Sequence, residues 1–105
     1  MGIKAIALVE KAGLNTGELL EKLNKLYCDE WLSYVQYWTG AKVSTGAFNA
    51  ELTAEMKEHA EDELKHAEML TKRIIELEGV PVLEPKDWYR FTNCGYLAPT
   101  NPRTQ

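Results

Sequence analysis

Three side chains of this 105-residue chain combine the residue types and the spacing of metal ligands. Glu63 and His66 stand three residues apart, so on a helix they are neighbours on one face. That face is otherwise apolar, and Glu30 interrupts a second apolar stripe earlier in the chain. A charged group in an apolar seam is costly unless something pairs with it. A bound metal ion is one partner that would explain all three positions.

Two long helices are predicted to position these ligands. The first covers about residues 16–43 and the second about residues 50–78. Each carries one stripe with the three- and four-residue spacing of an amphipathic helix. The first stripe is Leu19, Leu23, Leu26, Glu30, Tyr34, Tyr37 and Ala41. The second stripe is Leu52, Met56, His59, Glu63, His66, Leu70, Ile74 and Leu77.

The connection between the helices predicts which residues face each other. Residues 44–49 break the helical pattern, and two long helices joined by so short a loop must pack antiparallel. Glu30 lies about 15 residues before the centre of this loop and Glu63 about 16 residues after it, at about 1.5 Å of rise per residue. The two carboxylates are therefore expected at the same level, with His66 beside them.

The helix ends carry capping signals. Asn15 is followed three residues later by Glu18, which is typical of a helix N-terminus. Asn49 is the predicted cap of the second helix. At the other end of that helix, Gly79 is followed by Pro81, which predicts a C-cap at the glycine.

The remaining segments are short, and the whole chain is predicted to be a single domain. Residues 1–14 contain a predicted short helix stopped at Gly13. Residues 80–105 are predicted to form an ordered strap on the helices, because their aromatic content is too high for a disordered tail. Asn101 and Pro102 resemble the start of a third helix. The prolines and large apolar residues of the strap are Pro81, Pro85, Trp88, Tyr89, Phe91, Tyr96, Leu97, Pro99 and Pro102.

The composition argues against several classes of partner. A formal net charge of -4 argues against binding to nucleic-acid phosphates. The N-terminus lacks a signal-peptide pattern, and no apolar run approaches the roughly 20 residues of a membrane span. Cys28 and Cys94 do not make a disulfide framework. We expect a cytoplasmic protein with reduced thiols, each buried and structural, with a redox role near the site as the alternative.

Plainer interpretations exist for the acidic and imidazole side chains. An isolated Glu-x-x-His pair is common on helices rich in Glu and Lys, and His59 and His66 can each be satisfied by a neighbouring carboxylate. Glu58, His59 and Asp62 are interpreted either as a secondary metal site or as partly solvated groups. A further acidic series is interpreted as a solvated face: Glu51, Glu55, Glu58, Glu61 and Glu68.

The ligand set corresponds to half of a known arrangement. In di-iron carboxylate bundles, two helices each contribute a Glu and two others each contribute Glu-x-x-His. The segments that carry a resemblance are Leu23 to Leu26, Glu30, Tyr37, Glu63 to His66, and Ile74 to Pro81. Over about residues 19–83 they resemble the first two helices of the bacterioferritin branch of the ferritin-like superfamily. Residues 84–96 resemble the second crossover of Dps-like ferritins.

This resemblance implies an all-α fold, an antiparallel hairpin forming half of a four-helix bundle. It also implies that Glu30, Glu63 and His66 are ferroxidase ligands for two irons, with manganese or zinc as alternatives. Tyr37 would be a catalytic group near the metals, and its plainer interpretation is a core aromatic. Leu64 occupies the position of the haem-ligating Met of bacterioferritin, so haem is not expected.

The family's third and fourth helices have no counterpart before Gln105. The bundle is therefore expected to be completed by a second copy, or by the second half of a longer chain. Two copies related by a two-fold axis would bring together two Glu and two Glu-x-x-His. The expected function is oxidation of Fe(II) by O2 or H2O2, with iron storage or detoxification in a homo-dimer or a larger shell.

Two alternative functions stay open at this point. One is a rubrerythrin-type or other di-metal peroxidase, although the chain has no Cys-x-x-Cys module. The other is a metal-free helical interaction domain, in which Glu30 and Glu63 pair with Lys or His.

Overall fold

The computed structural model describes residues 2–44 and 50–99, with the side chains of residues 2 and 3 excepted. This part of the chain is all-α, as the sequence predicts, and it contains no strand. Its elements are α1 (Gly2–Lys11), α2 (Thr16–Val43), α3 (Ala50–Glu76), a 3-10 turn (Pro85–Asp87) and α4 (Trp88–Phe91). The predicted cap Asn49 and the predicted third-helix start at residues 101–102 lie outside the described residues. No helix in the described ranges is long and apolar enough to span a bilayer.

The α2 helix begins at the predicted cap. Asn15 has extended backbone angles, and its Oδ1 accepts a hydrogen bond from the Glu18 amide at 3.0 Å. This bond satisfies one of the amide groups that the first helical turn leaves without a partner. Before it, Gly13 takes a φ of +80°, which ends α1 and reverses the chain into α2.

The α2–α3 hairpin has a narrow core. Ala60, Ala67 and Ile74 are buried at seven-residue intervals along α3, and Leu77 continues the line just after it. The small alanine side chains let the two helices approach closely. The buried side of α2 is formed by Cys28, Leu32, Gly40 and Ala41.

Only the C-terminal end of the predicted α3 stripe, at Ile74 and Leu77, is buried. Leu52 is 44 % exposed, and the His66 side chain is 53 % exposed. The rest of the stripe borders the hairpin contact and stays partly open along one side. The physical reason is that a helix in a four-helix bundle has two neighbouring helices, and α3 has one long neighbour in this chain.

The C-terminal end of α3 differs from the prediction by one residue. The left-handed position belongs to Glu78, with a φ of 58°, and not to Gly79. The Gly79 amide donates to the Ile74 carbonyl and the Glu78 amide donates to the Ile75 carbonyl, both at 2.9 Å. This pair of bonds is a Schellman motif, with Gly79 one position beyond the left-handed residue. A Cβ on Gly79 would lie 2.5 Å from Leu20 Cδ2, so close packing on α2 explains the glycine.

The strap is ordered over residues 80–99 and is held by polar side chains of α2. The Asn24 side chain donates to the Val80 carbonyl at 3.1 Å and accepts from the Val82 amide at 3.0 Å. Further along α2, Gln36 accepts a hydrogen bond from the Leu97 amide at 3.1 Å. Residues 80–99 of the predicted strap are therefore ordered, and residues 100–105 lie outside the described residues.

Asp29 forms the largest set of strap contacts. Its carboxylate accepts hydrogen bonds from the Thr92 hydroxyl, from the Asn93 amide at 2.8 Å and side chain at 2.9 Å, and from the Cys94 amide at 3.3 Å. Burial would raise the pKa of Asp29, but these hydrogen bonds outweigh it and hold the pKa below its ordinary value. The ionised carboxylate is therefore the form that anchors the strap.

Replacing Asp29 by Asn is expected to destabilise the chain near neutral pH by about 1–2 kcal/mol, because the donors around it lose a charged acceptor. The pKa of Asp29 is lower in the folded chain than in the unfolded chain, where it is about 3.9, so the ionised carboxylate stabilises the fold above that pH. This stabilisation disappears as the pH falls through the pKa of the folded chain. The difference between wild type and Asp29→Asn in urea unfolding should therefore shrink between pH 7 and pH 3. Glu21→Gln, on an exposed part of α2, is the control; a pH-independent difference for Asp29→Asn would contradict this role.

Candidate metal centre

The three predicted ligands converge between α2 and α3. One potential ligand atom from each of Glu30, Glu63 and His66 lies within 4.8 Å of the others. The His66 Nδ1 atom is 3.4 Å from Glu30 Oε2 and 3.9 Å from Glu63 Oε2. The antiparallel register sets Glu30 opposite Glu63, and the i, i+3 spacing adds His66 from the same helix.

The three converging side chains are buried to different extents. The side chains of Glu30 and Glu63 are 21 % and 19 % exposed, whereas that of His66 is 53 % exposed. The carboxylates therefore lie inside the hairpin and the imidazole lies towards its open side. A shallow cavity of about 260 Å³ adjoins the group on that side. It is lined by Leu26, Glu30, His66, Met69, Leu70 and Arg73.

One atom of the group lacks a protein partner. Glu30 Oε2 is buried and has no hydrogen bond within the described residues, and its 3.4 Å separation from His66 Nδ1 is too long for a good one. A buried anionic oxygen without a partner is unfavourable. A proton on His66 would offset part of the cost of burying this oxygen, and a cation bound between the three side chains would offset all of it. Two carboxylates and one imidazole suit iron, manganese or zinc.

Tyr37 lies two helical turns beyond Glu30 and stacks on His59. Their ring centroids are 5.0 Å apart and the rings are inclined by 23°. Its predicted catalytic role near the metals stays a prediction. Within residues 2–44 and 50–99, Glu58, His59 and Asp62 join no group of three converging ligand atoms, and all three are exposed.

Some neighbours of the centre were not predicted from the sequence. Arg73 lines the adjoining cavity, and its guanidinium is 2.8 Å from the Glu76 carboxylate. Arg73 stands seven residues after His66 and therefore on the same face of α3. This spacing was the sequence signal that could have predicted its place beside the site. Trp31 follows Glu30 and packs against the strap residue Trp88. Nothing in the local sequence pairs those two tryptophans.

A comparison with protein families identifies the fold family of the chain. The family model for the ferritin-like domain matches residues 20–102, which is more than half of the chain. The chain belongs to the ferritin-like domain family. The predicted resemblance to the ferritin-like superfamily is thereby confirmed. No curated protein sequence matches the chain.

A solved structure is similar to this ferritin-like chain. It is the bacterioferritin-related protein from Bacteroides fragilis, described as a dodecameric thioferritin. The two are 48 % identical, with a TM-score of 0.81, and the match covers 86 % of this chain and 54 % of the other. The ferritin-like chain therefore spans about half the length of that relative.

The two thiols of the ferritin-like chain differ in environment. Cys28 is fully buried on α2, as expected, but Cys94 is exposed on the strap. The expectation that both thiols are buried is therefore wrong for Cys94, because its segment touches α2 through backbone amides. Burial, with smaller effects from the Asp29 and Asp87 carboxylates, raises the pKa of Cys28 to about 11.

We expect a thiol reagent at pH 8 to modify one cysteine rapidly in the native chain. Cys94 is accessible, whereas Cys28 is buried and its high pKa keeps it protonated and unreactive. Colorimetric titration should count one fast thiol in buffer and two in denaturant. The Cys94→Ser variant should show none in buffer, and rapid modification of Cys28 in that variant would contradict the burial.

Proposed function

We propose that this ferritin-like chain binds Fe(II) as its substrate through Glu30, Glu63 and His66, and acts as a ferroxidase in iron storage or detoxification. The observation that carries the proposal is the convergence of the three ligand atoms around a buried carboxylate oxygen without a partner. Either O2 or H2O2 serves as the oxidant. Manganese or zinc would fit the same donor set.

The side chains have distinct tasks in this proposal. The Glu30 and Glu63 carboxylates bring negative charge to the site, which stabilises Fe(III) more than Fe(II) and so favours oxidation. His66 offers Nδ1 as a neutral ligand, so binding displaces any proton on that atom. Tyr37 is proposed to donate a hydrogen bond or an electron at the edge of the centre, held in place by its stack on His59.

Three protein ligands are half of the set that a di-iron carboxylate site uses. We infer that a second pair of helices supplies the rest, from a second copy of this chain or from the remainder of a longer one. Exposed apolar side chains flank the ligands on the open side, including Leu26 at 45 % and Met69 at 62 %. Covering them would remove water from the site and strengthen its electrostatic interactions.

Native mass spectrometry during anaerobic titration with Fe(II) tests this proposal. We expect uptake of two irons by an assembly with four long helices, which for this 105-residue chain is a dimer. Glu63→Gln should abolish uptake, because the neutral amide removes one charged ligand and keeps the side-chain size. Glu61→Gln is the matched control, since Glu61 is an exposed carboxylate of the same helix outside the converging group.

The outcomes separate the candidate functions. Equal uptake by wild type and Glu63→Gln would contradict the proposed site. Absence of uptake, with no rise in melting temperature on adding iron, would favour a metal-free interaction domain. If iron binds, a mineral core formed under excess iron and oxidant indicates storage, whereas peroxide consumption without mineral indicates a peroxidase.

A further inference from the structure

Met69 lies on the wall of the cavity beside the metal centre. It stands three residues after His66, so the two side chains are neighbours on one face of α3. Side chains of a helix lean towards its N-terminus, which brings the Met69 thioether towards the turn that carries His66. The cavity of about 260 Å³ is lined by both residues and by Glu30. A thioether and two of the proposed metal ligands therefore share one space.

This cavity is open to small oxidants. The His66 side chain is 53 % exposed and Met69 is 62 % exposed, so solvent reaches this side of the hairpin. H2O2 is little larger than water, which occupies about 30 Å³ in the liquid, and the cavity has room for it. The wall around the sulfur is apolar, because Leu26 and Leu70 line the same cavity. H2O2 that reaches the centre from this side therefore meets the sulfur of Met69.

A second methionine of the chain has a different environment. The chain has three methionines, and the structure describes the surroundings of two of them, Met56 and Met69. Met56 is half-buried, and its sulfur accepts a hydrogen bond from the Ser44 hydroxyl at 3.8 Å. The sulfur also packs on α2, where a Cβ on Gly40 would lie 2.9 Å from it. A sulfur with an engaged lone pair and little free surface is a poor nucleophile, so Met56 is an internal reference for Met69.

Met69 also belongs to the face that we infer to be covered by a second pair of helices. Its exposed apolar neighbour on that face is Leu26. Oxidation converts the thioether into a sulfoxide, which is polar and accepts hydrogen bonds. Burying such a group among apolar side chains without a donor is unfavourable. An oxidised Met69 therefore opposes association of this face.

We propose that Met69 is a modification site, at which H2O2 that remains after the oxidation of Fe(II) is consumed, and that its sulfoxide weakens the assembly. This inference rests on the proposed function, because iron held by Glu30, Glu63 and His66 activates the peroxide. A cation polarises the O–O bond of a peroxide next to it. Sharing one cavity raises the effective concentration of the sulfur at that bond. The chain therefore responds to peroxide in excess over Fe(II).

The step on Met69 transfers one oxygen atom. The sulfur lone pair attacks one oxygen of H2O2, so that an S–O bond forms and the O–O bond breaks. The proton on the transferred oxygen goes to the departing hydroxide, which leaves as water. Thioether and H2O2 thus give sulfoxide and water, the sulfur loses the two electrons that the peroxide gains, and the iron stays Fe(III). Methionine sulfoxide reductases reverse this modification.

Peptide mass spectrometry of the whole chain tests the site of oxidation. The chain is loaded with Fe(II) without oxygen and mixed with H2O2 in excess over iron, and the added oxygen is followed at each methionine. We expect Met69 to be oxidised at least tenfold faster than Met56, and at least tenfold faster than Met69 of the iron-free chain. Glu63→Gln should lose this acceleration, and Glu61→Gln should keep it.

Native mass spectrometry of the same samples tests the effect on assembly. Wild type oxidised at Met69 should associate at least fivefold more weakly than untreated wild type. Met69→Gln places a polar side chain of similar length there and should weaken association without peroxide. Met69→Leu keeps the apolar volume and should stay assembled after peroxide treatment. Met56→Leu is the matched control, and it should lose assembly under peroxide as wild type does.

The outcomes distinguish failure of this inference from failure of the proposed function. Iron uptake with Met69 oxidised no faster than in the iron-free chain would overturn the inference alone. Iron-accelerated oxidation of Met69 with unchanged association would overturn the effect on assembly, and so would a wild-type chain that stays monomeric. A wild-type chain that takes up no iron would overturn the proposed function and, with it, the role of Met69.

Discussion

Replacing Ile74 by Ala is expected to lower the free energy of unfolding by about 2–4 kcal/mol, the usual range for emptying a well-packed core site. Ile74 is fully buried and is among the largest side chains in the described part of the chain to be so. It lies where α3, the beginning of α2 and the first residues of the strap meet. A small hairpin core has few other side chains that can shift to fill the space.

Thermal unfolding followed by circular dichroism at 222 nm measures this effect. A loss of that size should lower the melting temperature by roughly 10–20 °C in a domain of this length. Ile75→Ala is the matched control, because Ile75 is the same residue type at the next position of the helix but is 58 % exposed. Equal melting temperatures for the two variants would mean that the α3 face assigned to the core is wrong.

The geometry at the C-terminal end of α3 predicts opposite changes in stability for substitutions at two adjacent residues. Gly79→Ala should destabilise the chain by about 1–3 kcal/mol, because the new Cβ would lie 2.5 Å from Leu20 Cδ2 and 3.2 Å from Ile74 Cγ2. Glu78→Gly should stabilise it by up to about 1 kcal/mol, since Glu78 holds a left-handed φ of 58° that glycine adopts without a penalty.

Urea unfolding of the two variants and of the double variant measures both effects. Gly79→Ala should also be made in a Leu20→Ala background. Removing the opposing methyl groups should abolish most of the clash, so Gly79→Ala should destabilise that background much less than it destabilises wild type. If Gly79→Ala is as stable as wild type while Glu78→Gly is less stable, residue 79 has room for a Cβ, residue 78 is not left-handed, and the Schellman geometry described above is wrong.

The convergence of Glu30, Glu63 and His66 was predictable because it depends on helical periodicity and on the length of the connection. A helix repeats its face every three to four residues, so Glu63 and His66 must be neighbours. A short connection imposes an antiparallel register, and the constant rise per residue then sets Glu30 opposite them. The cap at Asn15 was predictable for a similar reason, since it depends on two residues three positions apart.

The strap contacts were not predictable from local pattern. Asp29 receives donors from residues more than sixty positions away, and Trp31 stacks on Trp88. Neither residue differs in its local sequence from an ordinary helix surface position. The exposure of Cys94 has the same origin, because it follows from the path of the strap across α2.

The sequence by itself determined the helices, their antiparallel pairing and the convergence of Glu30, Glu63 and His66, since each follows from short-range geometry. The tertiary structure decided how much of the predicted α3 stripe is buried, which residue of its C-terminal turn is left-handed, and which side of α2 the strap covers. Those outcomes depend on packing between segments far apart in the chain, where side-chain volume competes with backbone preference. At residues 78 and 79 packing prevailed, and the glycine lies where a Cβ would be 2.5 Å from Leu20 Cδ2.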